Sequence, residues 1–206
     1  MIQIDIFNEY VEAYEAWYEK YPEVYLSEVS AIKEQLLKLP EKIKGIEVGL
    51  GTGRFAQPLG IKEGIEPSDE MAKKAIKRGI EVMNGVAERL PYGDLQFDFV
   101  LLVTICHLNK IKAAFAQAYR VLKHDGSIII GFIDKNQSIA KQYEEKRARS
   151  NFFRHATFYT VNRIEKLLKE VGFRNFEYNQ TLFGTLEQIK ITQIPKQGFG
   201  EGLFGL

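Results

Sequence analysis

From Ile43 onward the chain alternates short apolar runs with amphipathic stretches, and this alternation restricts the fold more than any other feature of its 206 residues. The apolar runs occupy residues 46–50, 64–66, 80–83, 97–104 and 127–133. They are nearly continuous rather than alternately polar, which is the pattern of strands buried on both faces. Between them lie helical patterns at 68–78 and 110–123, the second with Ile111, Phe115, Ala118 and Leu122 in register. Ser68 is placed to cap the first, with Asp69 and Glu70 in its opening turn. A further helix is predicted over 161–171, between Thr160 and Gly172. Residues 173–182 and 203–206 read as late strands, while 187–194 carry no pattern that assigns them. The succession predicts an α/β fold with a doubly wound, mostly parallel sheet.

The first forty residues differ in character. Phe7, Tyr10, Val11, Tyr14, Trp17, Tyr18 and Tyr21 follow helical spacing, with Glu9, Glu12, Glu15 and Glu19 off that stripe. Pro22 interrupts the pattern, and a second helix places Val29, Ile32, Leu36 and Leu39 on its buried face before Pro40. The chain is therefore read as one domain: a helical cap or lid over 1–40, a ligand-binding half over 41–135, and an insert with a closing helix and strands over 136–206.

Composition excludes several classes. A net charge of +1 provides no broad field toward nucleic acid or anionic lipid, so neither is expected as a partner. Cys106 is the single cysteine, which rules out an internal disulfide and suits a reducing compartment. The three histidines, His107, His124 and His155, lack metal-ligand spacing, and no metal is expected. No apolar run is long enough to cross a bilayer, and the first residues lack the basic region of a signal peptide. A cytoplasmic enzyme is the expectation.

Three features fall at successive strand ends. Gly49, Gly51 and Gly53 follow the first strand, where glycine lets the backbone approach a ligand at positive φ. Glu66 ends the second strand, where an acid can accept hydrogen bonds from a ribose diol. Residues 85–92 follow the third. Each alone is an ordinary turn, a solvated acid or a loop; together they resemble the class I S-adenosylmethionine-dependent methyltransferases of the broad small-molecule group. Glu47-Val-Gly-Leu-Gly-Thr-Gly53 is similar to that family's first motif, and Gly64-Ile-Glu-Pro-Ser68 to its ribose motif. Ala87-Glu-Arg-Leu-Pro91 is similar to its adenine loop, and 119–126 to the segment before its fifth strand.

The resemblance implies a Rossmann-like sheet of the seven-stranded type and S-adenosylmethionine as cofactor. It implies cofactor contacts from Glu47, Gly49, Gly51, Gly53, Glu66, Ala87, Glu88, Thr104 and Tyr18. One position departs from the pattern: Val86 stands where related chains carry an aspartate for the adenine amino group, leaving Glu88 or a backbone carbonyl to replace it. A sulfonium is already a strong electrophile, so positioning the acceptor is the protein's main task, and no catalytic residue is forced. His107, after the fourth strand, and Tyr14 are the candidates, each set against a pocket-lining or core role. The aromatic stripe is open between core packing and a lid that edges the sulfonium by cation–π attraction. The tyrosine helix, the turn at 104–107 and the insert at 138–160 are expected to converge over a small-molecule acceptor. Lys141, Lys146, Arg147, Arg149 and Arg154 of the insert are either a solvated face or an attraction for an anionic acceptor.

Two alternatives stand beside this reading. Gly51-Thr-Gly53-Arg-Phe-Ala56 fits a dinucleotide fingerprint and Tyr119-Arg-Val-Leu-Lys123 a dehydrogenase pattern, so an NAD(P)-dependent oxidoreductase is the first. Against it, Pro58 and Gly60 leave only a stub of helix where a pyrophosphate wants a helix N-terminus. A non-catalytic S-adenosylmethionine-binding protein is the second.

Overall fold

A computed structural model describes residues 2–205. Three helices come first, α1 (Ile2–Glu9), α2 (Val11–Lys20) and α3 (Pro22–Leu36). Five strands and their connecting helices follow: β1 (Gly45–Val48), α4 (Ala56–Leu59), β2 (Glu63–Ile65), α5 (Asp69–Lys77), β3 (Glu81–Met83), β4 (Phe97–Val103), α6 (Ile111–Val121) and β5 (Leu122–Ile133). The remainder comprises α7 (Ser138–Glu145), α8 (Val161–Val171), β6 (Asn179–Thr181), β7 (Lys196–Gln197) and β8 (Phe204–Gly205).

The strands form one sheet in the order β3-β2-β1-β4-β5-β8-β6-β7. The first five are parallel, and β8 inserts antiparallel between β5 and β6. This is the expected doubly wound, mostly parallel sheet. The eighth strand is the two-residue β7, paired antiparallel to β6 at the outer edge. Strand order reverses between β1 and β4, and such a reversal opens a crevice at the carboxyl ends of the strands.

β4 shows how both faces are covered. Val100 and Leu102 pack with Phe115 and Ala118 of α6 and Ile164 and Leu168 of α8. Phe99 and Leu101 pack with Ile32 of α3 and Ala75 of α5 on the opposite side. Phe97 joins the first face out of turn because the pairing with β5 shifts register between Phe97 and Phe99. Ser68 caps α5 by accepting from the Met71 N–H, and Thr160 caps α8 by accepting from that of Arg163, as their positions require.

Several expectations are corrected. The stripe over 7–21 is two helices, broken at Tyr10 (φ −110°, ψ 25°). The break lets α1 dock on the start of α5, where Asn8 Oδ1 accepts from Ser68 Oγ (2.8 Å) and the Glu70 N–H (3.2 Å). Pro22 opens α3 as well as interrupting what precedes it, and Leu36 and Leu39 are only half-buried. Of the strand expected over 173–182, only the polar Asn179–Thr181 is a strand. Its Gln180 Oε1 accepts from the Glu201 and Gly202 N–H groups and Asn179 Nδ2 donates to the Ala31 carbonyl, while Asn179 Oδ1 and Thr181 Oγ1 are buried without a partner. Of the strand expected over 203–206, Phe204–Gly205 forms; Leu206 lies outside the described residues.

The largest correction is Glu15, expected on the solvent side of its helix. It is 8% exposed, and its Oε2 receives both Arg54 Nη2 and Arg78 Nη2 at 2.5 Å. Burial would raise its pKa, but the bonds from Arg54 and Arg78 hold it down to about 2. This joint ties α2 to the loop after β1 and to the end of α5. Replacing Glu15 by alanine leaves two half-buried guanidinium groups facing each other without an anion. We expect a loss of ~3 kcal/mol in urea unfolding, with unchanged circular dichroism; a loss below about 0.5 kcal/mol would place the pair among solvent-screened surface bridges.

Candidate active site

Above the carboxyl ends of the strands lies one large cavity of about 850 Å³. One end is built by the loop after β1 and the ends of β2 and β3. Gly51 has φ +56°, and a Cβ there would stand 3.2 Å from the Tyr14 hydroxyl. Tyr14 therefore roofs the glycine loop, and its hydroxyl accepts from Tyr18 Oη at 2.8 Å. Tyr18 is also core, packed edge-on to Tyr25 and Phe55, with the Arg54 guanidinium 5.3 Å from its ring centre. The aromatic stripe is thus pocket wall and hydrophobic core at once. Burial pushes both phenols well above their ordinary range, so both are neutral donors.

Glu66 reaches into this end. Its carboxylate accepts from the N–H groups of Gly51 and Ser68, each at 2.8 Å. Burial outweighs those bonds and raises its pKa to about 7. Ala87, Glu88 and Val86 line the neighbouring wall. Glu88 Oε1 accepts from the Asn109 and Lys110 N–H groups, so this carboxylate orders the start of α6 as well as facing the cavity. Thr104 lies where β4 ends, with φ 58° and ψ 52°. A β-branched residue is strained in that left-handed region, and such strain gathers at functional sites.

Two of the expected cofactor residues stand behind the wall rather than in it. Glu47 is 1% exposed and does not line the cavity; it takes a bond from the Ala56 backbone, and its Oε2 has no partner. Gly53 also lies off the cavity, where a Cβ would collide with Ile80 Cδ1 at 2.4 Å, so that glycine lets the loop pack against α5 and the turn before β3.

The other end is formed by the three segments expected to converge. Phe7 of α1 meets His107, Trp17 of α2 lines the same cavity, and the insert contributes Tyr143, Phe152, Phe153 and His155. His107 sits edge-on to Phe7 (5.1 Å) and stacked with Phe153 (5.9 Å). Burial lowers its pKa to about 4, which leaves a neutral and weakly basic imidazole at pH 7. His124 is exposed on β5. None of Lys141, Lys146, Arg147, Arg149 or Arg154 lines the cavity.

Sequence reasoning missed part of this end. Leu182, Leu186 and Leu203 come from the C-terminal segment, and Val24 and Glu28 from α3. Glu28 is 8% exposed, and burial alone raises its pKa to about 8. Its position was legible: Val24, Glu28 and Ile32 are spaced by four, so an acid interrupts an otherwise apolar stripe.

These features define an open α/β enzyme with a ligand crevice at its topological switch point. Residues 46–130 match the model of the methyltransferase-domain family. An uncharacterized protein of Methanocaldococcus jannaschii is 40% identical over 98% of this chain and 96% of its own length. An uncharacterized protein of Mycobacterium tuberculosis is 34% identical over 79% of this chain, a match that spans 58% of the longer relative. The crystal structure of a SAM-dependent methyltransferase of Thermotoga maritima, named a possible histamine N-methyltransferase, superposes with a TM-score of 0.93. It is 40% identical, with 100% of this chain and 97% of that one covered. This chain belongs to the class I S-adenosylmethionine-dependent methyltransferases. It is an enzyme of methyl transfer, and its cofactor is S-adenosylmethionine.

The cavity fits that cofactor. Glu66 and Glu88 are the acids at the glycine-loop end, and among the described residues neither lysine nor arginine lines the cavity, which suits a ligand carrying a sulfonium and an ammonium. The nicotinamide alternative loses its supports: α4 is four residues long, and Tyr119 is 48% exposed against Phe173, away from the cavity. No helix among the described residues is long and apolar enough to cross a membrane.

The buried acids dictate a pH dependence. Below about pH 4.5 Glu28 and Glu66 hold their protons in both folded and unfolded chains, and the folded state suffers no penalty. As pH rises, the unfolded chain ionises first, so stability falls until the folded groups release at about 7 and 8. We expect the ligand-free protein to lose stability progressively across this window, and Glu28→Gln to flatten the upper part of the decline in urea titrations at stepped pH. An unaltered slope in the variant would mean that Glu28 is solvated.

Proposed function

We propose that the enzyme transfers the methyl group to a small-molecule acceptor held in the aromatic end of the cavity, beside the cofactor. The observation that carries this reading is the cavity itself: one continuous enclosure of metabolite size joins the Glu66 end to the His107 and Tyr143 end. The name of the Thermotoga maritima protein, which refers to a small amine, agrees with it. Under this reading residues 1–40 form the cap, 41–135 the cofactor half, and 136–206 the acceptor side.

The residues divide the work by position. S-adenosylmethionine supplies an electrophilic methyl group on a sulfonium. The N–H groups of Gly49 and Gly51 are taken by the Ile65 carbonyl and by Glu66, so these glycines serve by leaving room for the cofactor, and Glu66 suits its ribose hydroxyls, since it keeps lone pairs beyond those taken by Gly51 and Ser68. Glu47 acts from behind by holding the turn into Ala56, and burial pushes its carboxyl well above the usual carboxylate range, toward the neutral form. Gly53 serves the loop through packing. Ala87 and Val86 give the adenine a flat apolar wall, and Glu88 braces it through α6. Tyr14 and Tyr18 close the roof over the glycine loop. Thr104 and His107 shape the passage between the two ends; a histidine with a pKa of about 4 is a wall and a weak acceptor rather than an efficient base at pH 7.

Binding of S-adenosylhomocysteine, followed by calorimetry, tests the assignment. Glu66→Ala is expected to weaken it by about 1–3 kcal/mol. Gly51→Ala is expected to weaken it by roughly tenfold or more, because the added methyl both strains a positive-φ position and pushes against Tyr14. Wild-type affinity in the Glu66 variant would overturn the ribose assignment.

A further inference from the structure

Glu28 is a carboxyl group that the fold buries and does not pair. Among the described residues no hydrogen bond or ion pair to its side chain is formed, although it is 8% exposed. The other acids of the cavity are different: Glu66 accepts two backbone N–H bonds, and so does Glu88. Burying a carboxyl without a partner is costly, and a chain keeps one where a ligand completes the pairing.

The surroundings state which ligand. Tyr18 of α2 and Tyr143 of α7 are the titratable groups whose hydroxyls sense the Glu28 charge, and neither is a cation. No charged neighbour alters Glu28 itself. Leu182, Leu186 and Leu203 add apolar wall from the C-terminal side, and Tyr143 is stacked on Phe153 at 4.2 Å. A lone acid among aromatic and aliphatic side chains recognises an ammonium on a flat or apolar body, by charge and by the ring faces together. The position fits an acceptor and not the cofactor. α3 packs against β5 and β6, on the far side of the switch point from β2 and Glu66, and reaches the glycine-loop side through α4 and the bond from Tyr25 to the Arg54 carbonyl.

We propose that Glu28 anchors the methyl acceptor and that the acceptor is a small organic amine bearing an aromatic or apolar body. The inference rests on the reading of the cavity as the acceptor site. An amine arrives as its ammonium; Glu28 in carboxylate form pairs with it and can take one N–H proton, leaving a neutral amine with a free lone pair beside a neutral carboxyl. Atoms and charge balance in that exchange, and no further reactant is needed.

The test is calorimetric, on the protein saturated with S-adenosylhomocysteine. Phenethylamine, tyramine and histamine are titrated as probes, with 2-phenylethanol as the uncharged counterpart. At least one amine is expected to bind at least roughly tenfold more tightly than the alcohol, and Glu28→Gln to erase that preference while leaving S-adenosylhomocysteine affinity unchanged. In the wild-type protein near pH 7, where the ligand-free carboxyl holds its proton, amine binding should release about one proton, read from the dependence of the heat on buffer ionisation. This second measurement does not depend on the variant folding. Equal binding of amine and alcohol, amine affinity indifferent to Glu28→Gln, no proton release, or no binding by any of the three amines would each overturn the proposal. Cofactor affinity that is indifferent to Glu66→Ala would instead overturn the site assignment on which it stands.

Discussion

The pairing of one carboxylate with two guanidinium groups sets the geometry on which the cavity depends. Glu15 receives Arg54 from the glycine loop and Arg78 from the end of α5, and Arg78 also donates to the Thr52 carbonyl at 2.8 Å. The loop after β1 is therefore held from above by a helix early in the sequence and from the side by the helix that follows β2. Glycine-rich loops have little side-chain packing of their own, so their shape must come from such external ties. Tyr14 and Tyr18 sit on the same helix as Glu15, one residue before it and three after, and the ion pair consequently decides where the aromatic roof comes down.

The sheet and the glycine loop were readable because they obey local rules. Buried parallel strands are apolar throughout, caps are Ser68 and Thr160, and positive-φ turns are glycine; each signal sits at the residue that needs it. The residues misread or missed obey rules of a different range. Glu15 and Glu28 each lie four residues after a buried valine, Val11 and Val24, yet an acid in a helical stripe is ordinarily assigned to solvent. What buries Glu15 is a pair of arginines 39 and 63 residues away. What buries Glu28 is a cavity wall drawn from both ends of the chain. No window of local sequence contains either cause. The exclusion of Gly53 from the cavity is similar: its contacts are Ala75 of α5 and Ile80, the residue before β3.

The polarity of the cavity explains why methyl transfer needs so little from the side chains. Its acids attract cations, its phenols are neutral, and His107 is neutral between two phenylalanines. In a space of low dielectric each charge acts strongly over short range, so an acceptor is oriented by few contacts.

The two ends of the cavity are written at different distances along the chain. The Glu66 end uses residues up to Asn109, whereas the other end also needs Leu182, Leu186 and Leu203. During synthesis the walls around the glycine loop are therefore available long before the far wall exists. A chain arrested between Asn109 and Leu182 carries half of a pocket, open on the side where Glu28 waits. Quality control of such fragments has a ready handle, because the apolar wall that Leu182, Leu186 and Leu203 cover stays wet until those residues have been made and have packed.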